Sequence, residues 1–154
     1  MARFLALVLA LLAGTQLQAA PVKEIAARQI GDLQCNVDRL SIVADLATLQ
    51  LTLGALSGQV ASDPTVSASV HSAQRSILGA QSAIGVIAEA LFTLQKAPAE
   101  ARDQVLGNLT AAHDTLTSLT LPSDDSAVEA TLQTALTQLS SATAAGNGVV
   151  SNCK

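Results

Sequence analysis

VSASVHSAQRSILGAQSAIGVIAEALFTL, residues 66–94, decides the fold. Its apolar side chains fall at Val66, Val70, Ala73, Ile77, Ala80, Ile84, Ile87, Leu91 and Leu94, an unbroken alternation of four- and three-residue steps. At 3.6 residues per turn that spacing lines one stripe of an α-helix, and Ser69, Gln74, Arg75, Gln81 and Glu89 fall off it. A helix with one greasy stripe needs partners to cover it, and the same rhythm recurs on both sides.

Upstream, Ile42, Leu46, Leu49, Leu53, Leu56 and Val60 repeat the spacing, with Val37, Leu40, Val43 and Leu51 widening the apolar face. Gly58 is placed to end this helix in a left-handed cap. Ser62-Asp63-Pro64 then starts the next, Asp63 capping and Pro64 in the first turn, where its missing N–H costs nothing. That helix is expected to reach about Lys96, a length of roughly 48 Å. Gly79 and Gly85 inside it each cost about 1 kcal/mol against Ala, so they predict a close helix contact or a local bend.

Ala97-Pro98-Ala99-Glu100 opens a third helix with inner residues Val105, Leu109, Ala112, Leu116 and Leu119, stopped by Leu121-Pro122. Ser123 is expected to cap a fourth, with Asp124 and Asp125 in its first turn and Leu132, Ala135 or Leu136, Leu139, Ala142, Gly146 and Val149 inward. No segment alternates as a strand does. Long amphipathic helices on short links predict an all-α fold, an antiparallel four-helix bundle, with Val22–Leu33 able to add a short fifth helix. An extended coiled coil is the competing arrangement, and proline-cut helices speak against it.

Met1–Ala20 reads as a secretory signal peptide: Arg3, an apolar run from Phe4 to Ala13, and a small-residue exit at Gln18-Ala19-Ala20. The run is too short for a permanent anchor, so residues 21–154 are expected to form one secreted domain without a transmembrane anchor. Cys35 and Cys153 are the only cysteines, so an oxidised chain has one possible disulfide. In an up-down-up-down bundle it would join two ends at the same pole, closing a loop worth about 4–5 kcal/mol in the chain-entropy picture. A catalytic or metal-binding thiol is the alternative, but neither cysteine has a second thiol or a histidine nearby in sequence.

The formal charge is −4, about −5 once Arg3 leaves with the leader, which repels phosphate backbones. There is no Trp or Tyr, and Phe92 is the one aromatic after the leader, so no base- or sugar-stacking platform exists and nucleic acid is excluded as a partner. His71 and His113 have no second ligand at metal spacing and read as exposed structural residues. Asp124 and Asp125 are adjacent and point apart on a helix. No nucleophile elbow or phosphate-cradling glycine loop is present, so the chain is not expected to be an enzyme, nor to need a cofactor or metal. Asn108-Leu109-Thr110 is an N-glycosylation acceptor triplet, set on a helix.

The aliphatic core leaves two packings open. Alternating Ala and larger residues suit a dense, dry interior, which periodicity alone favours. The same lining suits a slot for an acyl chain, with Leu46, Leu53, Ile77, Ile84, Leu109, Leu116, Leu132 and Leu139 around a cavity of about 300 Å³ or more.

A leader ending in Ala-Ala-Pro, Ala/Leu/Ser/Thr-rich helices, scarce aromatics and segments such as Ala83-Ile84-Gly85-Val86-Ile87 resemble the fungal hydrophobic surface-binding protein A and cell-wall galactomannoprotein family. The resemblance implies a secreted helical bundle that adheres to hydrophobic surfaces or holds fatty acids. The cysteine pair departs from it and implies a limit on how far the helices splay. Two functions follow: binding of apolar matter (a lipid chain within the bundle, or a hydrophobic surface), or a structural or effector role against a cell-wall or host protein. A cavity marks the acyl-chain form of the first, and an exposed apolar patch over a filled core marks the second.

Overall fold

The computed structural model describes residues 33–121 and 125–153. The leader, the short helix expected from Val22, and the roles of Pro122, Ser123 and Asp124 lie outside the described residues. Four helices run in order: α1 (Leu33–Gln59), α2 (Pro64–Phe92), α3 (Ala99–Thr117) and α4 (Ser126–Asn152), with no strand among the described residues.

Neighbouring helices pack as an antiparallel bundle. α1 packs most extensively on α4 and α2 on α3, while contacts between the two pairs, α1 with α2 and α3 with α4, are sparser. Cys35 and Cys153 are bonded, Cα atoms 5.0 Å apart, which ties the start of α1 to the end of α4. The α2–α3 connection lies at that same pole. The α1–α2 and α3–α4 connections lie at the other.

The expected stripes form one core. Ile42, Leu46, Leu49, Leu53, Leu56 and Val60 meet Val66, Val70, Ala73, Ile77 and Ala80, together with Val105, Leu109, Ala112, Leu116, Leu132, Ala135, Leu139 and Ala142. On α4 the structure takes Ala135 as the fully buried position and leaves Leu136 at the core's edge. Glycine governs the close approaches within each pair. A Cβ on Gly79 would sit 2.8 Å from Asn108 Oδ1 of α3, and one on Gly148 2.7 Å from the Asp38 carboxylate of α1. The close contact expected at Gly79 is therefore present, whereas nothing approaches Gly85 within 4 Å.

Helix ends differ from expectation in four places. α1 runs one residue past Gly58, which has ordinary helical backbone rather than a left-handed cap. α2 stops at Phe92, short of Lys96, in a Schellman turn: Gln95 N–H donates to the Ala90 carbonyl at 2.7 Å and Leu94 N–H to Leu91 at 3.1 Å, with Leu94 at φ 57°. Leu94 thus leaves the stripe and stands exposed, and the buried positions shift to Ala83 and Ala90, with Ile84 and Ile87 half-buried and Leu91 exposed. α3 ends at Thr117, before Leu121: the Thr117 and Ser118 hydroxyls donate to carbonyls one turn back, and Leu119 and Leu121 fold onto the core. Asp125 is the N-cap of α4 rather than a first-turn residue, accepting from Ala127 N at 3.0 Å and Val128 N at 3.3 Å. Asp63 caps α2 as expected, accepting from Thr65 N at 2.9 Å and Val66 N at 3.1 Å, a contribution of about 1 kcal/mol.

Candidate functional site

α1 carries two apolar stripes. The inner one is core. The second, Leu33, Val37, Leu40, Ala44, Ala47 and Leu51, keeps the same four-three spacing and is exposed along its whole length. At about 100° per residue it lies opposite the inner stripe, so Val37, Leu40 and Leu51, and Val43 to one side of them, extend the apolar surface of α1 away from the core rather than towards it. Leu40 remains 73% and Leu51 76% exposed. The stripe runs roughly 27 Å along the helix.

No charge interrupts it. The charged residues of α1 are Asp38, Arg39 and Asp45; Asp38 is buried and the other two are half-buried on its flanks. Nearby hydroxyls are turned inward: Thr48 donates to the carbonyls of Ala44 and Asp45, and Thr52 to that of Thr48 at 3.1 Å. The hydroxyl donors of both threonines are thereby used within the helix. α1 is also long and apolar enough to cross a membrane by length and composition, although its inner half is bundle core.

The pole bearing the disulfide adds further apolar surface. Phe92 is 88% exposed there, beside exposed Leu94 and with Leu33 and Val150 at the same end. The opposite pole carries Asp63, Asp114, Asp125 and Glu129. The second pole is thus acidic, whereas the disulfide pole mixes this exposed apolar surface with exposed charges of both signs, Glu89, Lys96, Glu100, Arg102 and Asp103.

Among the described residues Asp38 is the one buried charged side chain, 9% exposed, and it links α1 to α4 at the disulfide pole. It accepts from Gln34 Nε2 and from Asn152 Nδ2, each at 2.8 Å, the second bond reaching from α4. Its carboxylate rests on Gly148.

The residues proposed to line an acyl-chain slot are brought together. Leu46, Leu53, Ile77, Leu109, Leu116, Leu132 and Leu139 lie packed in the core and Ile84 at its edge. Two hollows stand out, both open to solvent along the α3–α4 seam. One of about 400 Å³ is lined by Leu109, His113, Leu136 and Asn147, and one of about 510 Å³ by Leu116, Leu121, Leu132 and Glu129. Neither is enclosed. Leu109, Leu116 and Leu132 reach these grooves, while Leu46, Leu53, Ile77 and Leu139 are fully covered by their neighbours.

Asn108 lies in the α2–α3 contact, its side chain against Gly79 and its Nδ2 donating to the Gln104 carbonyl at 2.8 Å. His71 and His113 are exposed, Nδ1 of the first 2.8 Å from Gln74 Oε1 and of the second 3.5 Å from Asp114 Oδ1. Among the described residues no three His, Cys, Asp or Glu side chains gather as metal ligands.

The sequence reading missed Asp38 and left open which way the outer stripe faces. Asn152 lies 114 residues from Asp38, so nothing local marks the acid as buried. The outer stripe was visible as spacing. Its exposure depends on which neighbours α1 has. No family model, curated protein or solved structure matches this chain.

Proposed function

We propose that the protein is a secreted, non-enzymatic binder of apolar matter that lays the outer face of α1 on a hydrophobic surface. One observation carries the proposal: an uncharged four-three stripe, Leu33 to Leu51, faces solvent. Although an exposed apolar patch over a filled core also marks a protein-docking face, this one is wholly aliphatic, with no aromatic or Arg side chain on it. Apolar area of that extent is exposed at a free-energy cost that contact with an apolar phase relieves, at about 25 cal/mol per Å². Helices that lie in an interface present such a face to it. The exposed side chains of Phe92 and Leu94 extend the same chemistry. The disulfide suits an oxidising compartment.

A second reading has one specific observation in its favour. Four-three spacing is also the seam a partner helix takes, so a cell-wall or host protein could dock there. Protein contacts, however, draw most of their energy from aromatic and Arg anchors, and this stripe has neither.

Adsorption to an alkylated sensor surface tests the proposal with the Leu40→Glu/Leu51→Glu double variant. Both positions are exposed, so helicity and thermal stability should be unchanged while affinity falls at least about tenfold, the effect of losing roughly 1.4 kcal/mol. Equal adsorption by both proteins would overturn the proposal. Intact adsorption with lost capture of one defined wall protein would move the stripe to the second reading.

A further inference from the structure

The covalent ties of the bundle are unevenly placed. Within the tight pairs, α1–α4 is joined by Cys35–Cys153 and α2–α3 by the chain after Phe92, both at the disulfide pole. Between the pairs, the chain after Gln59 and the chain after Thr117 both cross at the acidic pole. The disulfide therefore lies inside one pair and does not oppose separation of the two. Asn152 donating to Asp38, a hydrogen bond between helices, is likewise within α1–α4.

Side-chain size follows the same axis. At the acidic pole the pairs are held by Leu53, Leu56, Val60, Val66, Val70 and Leu116. Towards the disulfide pole Ala80, Ala83, Ala90, Ala101 and Ala142 are buried, joined by Ile42 and Val105 as the larger aliphatics, with Ile84 and Ile87 half-buried. An alanine brings far less apolar surface to the contact than a leucine, so the pairs are held least where nothing covalent joins them.

We infer that the aliphatic interior is a second, larger binding surface, exposed to a fluid apolar phase when the α1–α4 and α2–α3 pairs swing apart at the disulfide pole about their two connections at the other. The inference rests on the proposed binding of apolar surfaces and specifies how the bundle engages a liquid one. In water, opening would expose the core and is disfavoured. Against oil, the same surface exchanges one apolar contact for another, and only such differential affinity can shift the equilibrium. Exposed Phe92 and Leu94 lie at the lip that would part first.

Distances between paired spin labels, read in buffer and on n-hexadecane emulsion droplets with the native disulfide intact, test this. Arg39→Cys with Glu89→Cys spans the pairs at the disulfide pole, Gln59→Cys with Thr65→Cys spans them at the acidic pole, and Glu89→Cys with Arg102→Cys lies within α2–α3. With the label at Arg39 roughly 30 Å from the hinge end of its helix, an opening of about 30° lengthens the first distance by about 15 Å and leaves the other two nearly unchanged. Droplet-bound protein with all three distances unchanged would overturn the inference and leave the α1 face as the whole site. Growth of all three would also overturn it, showing general splaying of the helices. Failure of the unlabelled protein to bind droplets would overturn the surface-binding reading itself, and this inference with it.

Discussion

Gly148→Ala should destabilise the domain, although the substitution normally strengthens a helix. In an open position it gains about 1 kcal/mol. Here the new Cβ would lie 2.7 Å from the Asp38 carboxylate, closer than side chains tolerate, and Asp38 must move. Moving it breaks the bonds from Gln34 and Asn152, both 2.8 Å, to an acid that is only 9% exposed. Hydrogen bonds to a charged group contribute about 1.5–3 kcal/mol each, discounted because the displaced carboxylate regains water. The net loss is about 1–3 kcal/mol, a fall in melting temperature of several degrees for a domain of this size. Gly85→Ala is the control: nothing lies within 4 Å of its would-be Cβ, so stability should rise by about 0.5–1 kcal/mol. The assay is urea unfolding followed by circular dichroism, run as a double-mutant cycle with Asp38→Ala. Removing the carboxylate should restore the gain from Gly148→Ala, giving a coupling of about 2–4 kcal/mol. If Gly148→Ala alone stabilises as Gly85→Ala does, the close α1–α4 contact at Asp38 is not what holds that pole.

Leu94→Gly should raise stability by about 1 kcal/mol in the same unfolding assay, because Leu94 sits at φ 57° and is exposed, so glycine relieves the backbone and forfeits little packing. Leu53→Ala should cost about 3–5 kcal/mol, and Leu51→Ala, two residues away on the exposed face, less than about 0.5 kcal/mol. Replacing the disulfide by Cys35→Ser/Cys153→Ser should lower unfolding stability by about 2–4 kcal/mol, since it closes a loop of 118 residues.

Much of this architecture was readable because periodicity is a local property. The stripes through Leu46 and Leu53, Val70 and Ile77, Leu109 and Leu116, and Leu132 and Leu139 all turn inward as their spacing requires. Periodicity also mislaid what depends on neighbours. α1 has two equally regular stripes, and only the placement of α2 and α4 determines that Leu46 is covered and Leu51 is not. Near the end of α2 the reading chose the large residues, Ile84 and Leu91, whereas the structure buries Ala83 and Ala90, on a helix that approaches α3 closely enough to exclude a Cβ at Gly79. The seat of Asp38 was invisible because Gly148 and Asn152 become its neighbours only once α4 is in place.

The most direct measurement places an environment-sensitive fluorophore on α1 at Leu51→Cys, and separately on α2 at Thr65→Cys, and follows emission as the protein adsorbs to alkylated beads. Contact through the outer face of α1 predicts a blue shift for the label at 51 and none for the label at 65. Bound protein whose label at 51 still reports water would contradict the account.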